Sequence, residues 1–408
     1  MNRTAFSRFA AVLMLLALTV SLFGCSSTAQ PAESGKPASQ NADAPANTPA
    51  ETPAQTPAAE EPKRATLIAV GDNLLHNTVS MDCKTADGGF DFTHLYASVA
   101  PYASAADIAF VNQEVPLGGT ELGIGKYPSL NAPQEAGRAL AAAGFNLVNE
   151  ATNHALDKRQ QGLMNTLALW KELQIPVIGA FSTEEESKQP CLIEKNGIKF
   201  GFVGYTYGTN GIPLPADKPW CVSLIDEAKI RADLAALRPQ CDYLVVSMHW
   251  GTEYQLKENA VQDGLARLLA DCGADLIIGH HPHVIQPAAW LDRADGGKTF
   301  CVYSLGNFIS GQQKKNTMLG GMLGLTVVKA ADGTVTTENP GLLPLMTHYE
   351  NGAKHFGVFP LEDYTAGQMA LHAIKKYDSP ISLEGYQALA QQVFGEFLKT
   401  KETFACRP

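Results

Sequence analysis

From Arg64 onward the chain repeats one device: a short apolar run that stops at a polar residue able to bind a metal. The runs Thr66–Val70, Ile108–Val111, Leu147–Val148, Pro176–Ile178, Lys199–Val203, Tyr243–Val246, Asp275–Ile278 and Phe300–Tyr303 are mostly too short and too uniformly apolar for helices, and read as strands. Between them, Pro133–Ala143, Leu163–Leu173 and Val261–Cys272 have helical patterns, the first and last closed by Gly144 and Gly273. Alternation of helices with strands buried on both faces requires a layered α/β fold. In such sheets ligands bind beyond the carboxyl ends of the strands, so the residue after each run matters more than the run.

Those residues share a chemistry. Val70 is followed by Gly71-Asp72-Asn73, Val111 by Asn112-Gln113-Glu114, and Val148 by Asn149-Glu150 and then Thr152-Asn153-His154, with Asp157 beyond. Val246 leads into Ser247-Met248-His249-Trp250, and Ile278 into Gly279-His280-His281-Pro282-His283. Three histidines in four positions are notable in a chain with 10 histidines among 408 residues. Carboxylates (Asp72, Glu114), an amide oxygen (Asn153) and imidazoles (His249, His281, His283) form a mixed oxygen and nitrogen set suited to Mn, Fe or Zn. A bridging carboxylate can hold two such ions roughly 3.5–4 Å apart. Each residue alone has a plainer reading: Asp72 as a helix cap, Glu114 as a solvated carboxylate, Asn153 and His154 as turn residues, His249 as a core histidine. Their shared position at strand ends favours a metal centre.

The first residues point outside the cytoplasm. Arg3 and Arg8 precede the apolar stretch Ala10–Leu22, and Leu22–Cys25 reads L-F-G-C, which resembles a bacterial lipobox. Residues 1–24 are therefore expected to be a lipoprotein signal peptide, with Cys25 lipidated and the body anchored to the cell membrane on its extracytoplasmic side. The alternative, an uncleaved anchor, meets a stretch shorter than the roughly 20 residues that span a bilayer. Residues 25–63, rich in Pro, Ala, Thr, Ser, Gln and Glu, read as a disordered tether. The rest, 45% hydrophobic and 18% charged over the whole chain, fits a globular body with a substantial core. A net charge of −10 without clustered Lys and Arg argues against a nucleic-acid partner. Seven cysteines remain beyond Cys25, none in a C-x-x-C, so a thiolate zinc site is not expected and at least one stays unpaired or pairs between molecules.

Six segments occur in order: VGDNLLH (Val70–His76), FVNQEVPL (Phe110–Leu117), ATNHALDKRQQGLMNT (Ala151–Thr166), SMHWGTEY (Ser247–Tyr254), IIGHHPHVIQP (Ile277–Pro287) and YSLGNFI (Tyr303–Ile309). Together they resemble the CapA (PgsA) family of poly-γ-glutamate capsule proteins, which is related to calcineurin-like metallophosphoesterases. The resemblance implies a four-layer α-β-β-α metallophosphatase-like sandwich over residues 64–345; the C-terminal extension, 346–408, lies outside the resemblance, and the apolar spacing within Ser382–Lys399 reads as an amphipathic helix. It implies one or two divalent ions held by Asp72, Glu114 in the bridging place, Asn153, His249 and the pair His281 and His283, with Asp72 and His154 counted as catalytic and His154 as general acid or transition-state stabiliser. Either His280 or His281 matches the first histidine of G-H-x-H; His281 keeps the spacing to His283. Two departures stand out: the usual D-x-H is here Asp72-Asn73-Leu74, with His76 the nearest histidine, and the usual G-D is here Asn112-Gln113-Glu114.

The function so implied is synthesis, export or processing of an extracellular anionic polymer. It would be either a metal-dependent hydrolase of phosphoester or amide bonds or a non-enzymatic subunit beside a membrane polymer synthase. Tyr205, Tyr207 and Trp220, around the Gly- and Pro-rich segment Gly208–Pro219, are candidates for a substrate cleft or for plain packing.

Overall fold

A computed structural model describes residues 61–408, all within one compact unit. The signal peptide, Cys25 and all but the last residues of the tether lie outside the described residues. In chain order the strands are β1 (Lys63–Leu74), β2 (Ile108–Gln113), a small hairpin of β3 (Gly125–Lys126) and β4 (Ser129–Asn131), β5 (Leu147–Asn149), β6 (Val177–Ile178), β7 (Cys191–Lys195), β8 (Ile198–Thr206), β9 (Tyr243–His249), β10 (Leu276–His280), β11 (Ala288–Asp292), β12 (Lys298–Val302), β13 (Asn307–Ser310), β14 (Leu319–Lys329), β15 (Val335–Glu350) and β16 (Lys354–Pro360). One sheet runs β16-β15-β14-β1-β2-β5-β6, with β13 also on β1; the other runs β11-β12-β10-β9-β8-β7. In the first, β13, β1, β2, β5 and β6 are mutually parallel; in the second, β8, β9, β10 and β12 are.

The period of two along a strand builds the layers. Tyr243 and Val245 of β9, Leu276 and Ile278 of β10, and Phe300 and Val302 of β12 pack in one core with Leu67, Val70 and Val111 of the first sheet. Their neighbours Leu244, Val246, Met248, Ile277 and Cys301 point the other way, onto Ile230, Leu234, Leu265 and Leu269 of the helices Glu227–Leu237 and Ala260–Asp271. Each large side chain removed from water this way stabilises the fold by roughly 1.5–3 kcal/mol. The helix Glu135–Ala142 and Trp170 of the helix Arg159–Glu172 belong to the same continuous apolar cluster as the first sheet. The result is the four-layer α-β-β-α sandwich.

All eight expected strands are present, and the three expected helices are Glu135–Ala142, Arg159–Glu172 and Ala260–Asp271. The expected boundary at 345/346 falls inside β15, which pairs with β14 and β16. The C-terminal helix is shorter than Ser382–Lys399: it spans Leu383–Phe394, capped by the Ser382 side chain, and stops at Gly395 with φ 54°. Tyr386, Val393, Phe394 and Phe404 are buried in the main core. All seven described cysteines are unpaired. No described helix is long and apolar enough to cross a membrane.

Candidate metal centre

Parallel pairing brings the strand ends together. Asp72 lies beside Asn112 and Asn112 beside Asn149 across β1, β2 and β5; His249 lies beside His280 across β9 and β10. Two glycines allow the close approach this needs. A Cβ on Gly71 would sit 1.9 Å from the Gly306 carbonyl oxygen, and one on Gly279 would sit 1.9 Å from the Tyr303 carbonyl oxygen. Beyond β10 the chain turns sharply, with His281 at φ 95° and His283 at φ 60°. Non-glycine residues held there store about 1–3 kcal/mol of strain each, which persists where the surroundings enforce it. The Tyr254 N–H, donating to the Pro282 carbonyl at 2.8 Å, braces this turn.

The side chains then interlock. Asp72 Oδ1 accepts from Asn112 Nδ2 at 2.8 Å, and Asp72 Oδ2 lies 3.0 Å from His283 Nδ1. His249 Nε2 is 2.8 Å from Asn153 Oδ1, and its Nδ1 is 3.5 Å from Asn112 Nδ2, so Nε2–H donates to Asn153 and Nδ1 accepts. His154 Nδ1 is 2.7 Å from Asp157 Oδ2, which also accepts from the Leu130 backbone N–H at 2.7 Å. Glu114 sits in the middle: its Oε1 is 3.7 Å from His249 Nε2, 3.7 Å from His283 Nε2 and 4.0 Å from His154 Nε2.

Burial dominates the electrostatics. It pushes Glu114 well above the usual carboxylate range, with the charges of Asp72, Glu253 and Asp157 adding to it and His283 opposing. Burial would also raise Asp72, but the hydrogen bond and charge of His283, with His280 and Asn112, outweigh it and hold that carboxyl below its usual value. Burial depresses His249 well below the ordinary imidazole value, and takes His280 to about 4 and His281 to about 3. His283 is the exception: burial works against its charge, yet Glu114 and Asp72 together push it up to about 9. Burial thus favours the neutral imidazole, the form that ligates a metal, for both His249 and His281; ligation through His249 Nε2 would require the proton now directed at Asn153 Oδ1 to leave that nitrogen.

Two sets of three ligand atoms lie within 4.8 Å of one another and share Glu114: Asp72–Glu114–His283 and Glu114–His249–His281. A third set joins exposed Glu253 to His281 and His283. Both Glu114 oxygens and His281 Nδ1 are buried without a hydrogen-bond partner. A buried carboxylate with nothing to pair costs several kcal/mol. A divalent cation is the group these donors fit.

The structure thus brings together Asp72, Glu114, Asn153, His154, His249, His281 and His283. His280 also has both ring nitrogens unpartnered, but its ring lies 5.8 Å from the Phe110 ring and its Nδ1 is 3.7 Å from Asp72 Oδ1; it is in none of the three-ligand sets. The two motif departures answer each other, because Asn73 Nδ2 donates to Gln113 Oε1 at 2.7 Å while Tyr96 donates to Asn73 Oδ1. His76 Nδ1 faces the Leu74 carbonyl and the Gly311 N–H rather than the cluster. Of the cleft candidates, Tyr207 belongs here, its ring 4.6 Å from that of His281; Tyr205 is buried and donates to Asp233, and Trp220 packs on a separate apolar cluster. Sequence reasoning assigns no role to Asn112, Asp157 or Glu253. Asn112 and Asp157 were visible only as polar residues following apolar runs, and Glu253 only as part of SMHWGTEY.

The family described as bacterial capsule synthesis protein PGA_cap matches residues 66–312. The chain belongs to that family. The match includes every residue of the metal cluster. Among PGA_cap relatives, the capsule biosynthesis protein CapA of Bacillus anthracis is 30% identical over 260 residues, 62% of this chain and 61% of that protein. The PGA biosynthesis protein CapA of Bacillus subtilis (strain 168) is 34% identical over 194 residues, 45% of this chain and 47% of that protein. The chain thus spans less than two thirds of the length of either relative. Among solved structures it is similar to the NAD nucleotidase of Haemophilus influenzae, with a TM-score of 0.42 and 11% identity over 84% of this chain and 59% of that one. The four-layer architecture rests on the strand pairing itself.

Proposed function

We propose that this PGA_cap chain acts in the synthesis, export or processing of extracellular poly-γ-glutamate or a similar anionic capsule polymer, as a metal-dependent hydrolase of a phosphoester or amide bond. The capsule-biosynthesis names of the two CapA relatives support the polymer. The observation that carries the metal is Glu114, fully buried, shared by two ligand sets and without a partner for either oxygen. Asp72, Glu114, Asn153, His249, His281 and His283 would hold one or two ions, with Mn, Fe or Zn suited to the donors. When bound, such ions supply Lewis-acid polarisation of the scissile group and water activation near neutral pH.

The chain's own residues do the rest. His154 presents Nε2 toward Glu114 while Asp157 fixes its Nδ1, the arrangement of a general acid whose charged form has a partner. Tyr207 covers His249 and His281 from the solvent side. A lipid on Cys25 would hold the site outside the cell membrane beside polymer-synthase subunits, and Cys25→Ala should then move the protein from the membrane to the soluble fraction. The hydrolase is tested with purified protein against phosphoester, peptide and γ-glutamyl substrates. Turnover that disappears in Asp72→Asn and His249→Ala is expected; full metal occupancy with no turnover on any of them would leave the chain a scaffold.

A further inference from the structure

The segment between β8 and the helix Glu227–Leu237 sends one side chain back into the cluster. Thr209–Ile212 is a tight turn: the Ile212 N–H donates to the Thr209 carbonyl at 2.8 Å, and the two central residues, Asn210 and Gly211, have φ 51° and 72°. Positive φ at both central positions is the pattern of a type I′ turn, for which Asn-Gly is the preferred pair. Thr209 also bonds its hydroxyl to the Ile212 carbonyl, and Thr206 to that of Gly208, so the turn is held from within. This alone would explain an asparagine at 210.

The side chain does something more. Asn210 Oδ1 accepts from Asn153 Nδ2 at 3.1 Å, and Asn210 Nδ2 lies 3.3 Å from His154 Nδ1. A carboxamide has an oxygen end and a nitrogen end, and only the oxygen can bind a cation or accept from His249. With the nitrogen end of Asn153 taken by Asn210, its oxygen end is left turned to His249 Nε2 at 2.8 Å. Tyr207 also hydrogen-bonds the Asn153 side chain, so Asn210 and Tyr207 both bear on that carboxamide. The second sheet therefore supplies, through one turn, a contact that orients a ligand borne by the first.

We propose that Asn210 is a positioning residue that fixes the Asn153 carboxamide with Oδ1 toward the metal cluster. This rests on the metal-centre reading above. Partners that orient ligands in this way change metal affinity by about 10–100-fold when removed.

Two substitutions separate this role from that of a mere turn former. Asn210→Gly keeps the left-handed backbone and deletes the carboxamide; Asn210→Asp tolerates the same backbone and keeps an oxygen to accept from Asn153. Mn²⁺ affinity is read by calorimetric titration of the full chain after chelation, together with the melting temperature of the metal-free protein. Expected are a loss of about tenfold or more in Asn210→Gly, affinity near wild type in Asn210→Asp, and an unchanged metal-free melting temperature in both. Equal affinity in all three proteins would overturn the role of Asn210 while leaving the metal centre standing. Equal weakening of both variants, or a metal-free melting temperature lowered by more than about 5 °C in Asn210→Gly, would assign the residue to the turn alone. A wild-type chain that takes up no Mn²⁺ would overturn both readings together.

Discussion

Glu114→Gln removes one charge at nearly constant volume from the centre of the cluster. Neither oxygen of the native carboxylate accepts a hydrogen bond among the described residues, so the substitution breaks none. Its nearest imidazole nitrogens are 3.7–4.0 Å away, and His283 keeps Asp72 at 3.0 Å. The metal-free variant should therefore melt no more than about 2 °C below the wild type, and above it to the extent that relief of the unpaired buried carboxylate is felt. With metal the two proteins should part. Mn²⁺ at a hundred times its dissociation constant adds about 2.7 kcal/mol to a native state that alone binds it. Unfolding entropy near 2.1 cal/mol/K per residue converts this, for a folded body of about 350 residues, into a rise of about 4 °C. Glu114 belongs to both ligand sets, so Glu114→Gln should lose the rise at the same Mn²⁺ concentration. Thermal melts of both proteins, with chelator and with Mn²⁺, measure the four temperatures. A variant that keeps the 4 °C rise would refute Glu114 as the shared ligand, and a metal-free variant that melts far below wild type would refute the reading of its oxygens as unpaired.

Three further outcomes are expected. His154→Ala should retain metal, measured by elemental analysis, and lose about 10²–10⁴-fold in turnover on whichever substrate the wild type accepts. Glu150 is buried, which raises its carboxyl well above the usual range despite the Trp170 indole N–H donating to it at 2.6 Å. A raised folded value means that the stability it contributes is complete below the unfolded value and is lost as pH rises through the folded one. Glu150→Gln keeps an acceptor for Trp170 and has no proton to lose, so its melting temperature relative to wild type should climb as pH rises above the ordinary carboxylate range; a flat difference would count against it. Gly71→Ala, whose Cβ would fall 1.9 Å from the Gly306 oxygen, should cost about 1–3 kcal/mol or more in denaturant unfolding, whereas a neutral result would mean the β1–β13 junction is not close-packed.

The strands that carry the ligands were legible because they are buried on both faces, so they read as unbroken apolar runs such as TLIAV and YLVV. The antiparallel flank was not. Leu319–Lys329 contains Gly320, Gly321 and Gly324, and Val335–Glu350 contains Pro340 and Pro344, which blur any strand signal. The apolar spacing at the C-terminal helix outruns the helix itself: Val393 and Phe394 lie within it, but Phe397 continues the pattern past Gly395, where the backbone leaves the helix. The ligands themselves announced their chemistry by residue type and position. The residues that orient them did not: Asn112 reaches Asp72 and His249 across 40 and 137 positions, and Asn210 reaches Asn153 across 57. Asparagine in a turn has a sufficient local explanation, so its distant partner is invisible until the two sheets are placed.

The central claim is a divalent metal held by Glu114 between two sets of ligands, and anomalous diffraction from crystals grown with Mn²⁺ tests it most directly. The account predicts a strong anomalous peak within bonding distance of Glu114 and of His249 and His281, or of Asp72 and His283, or a peak at each. Crystals saturated with Mn²⁺ that show no peak at this cluster would contradict it.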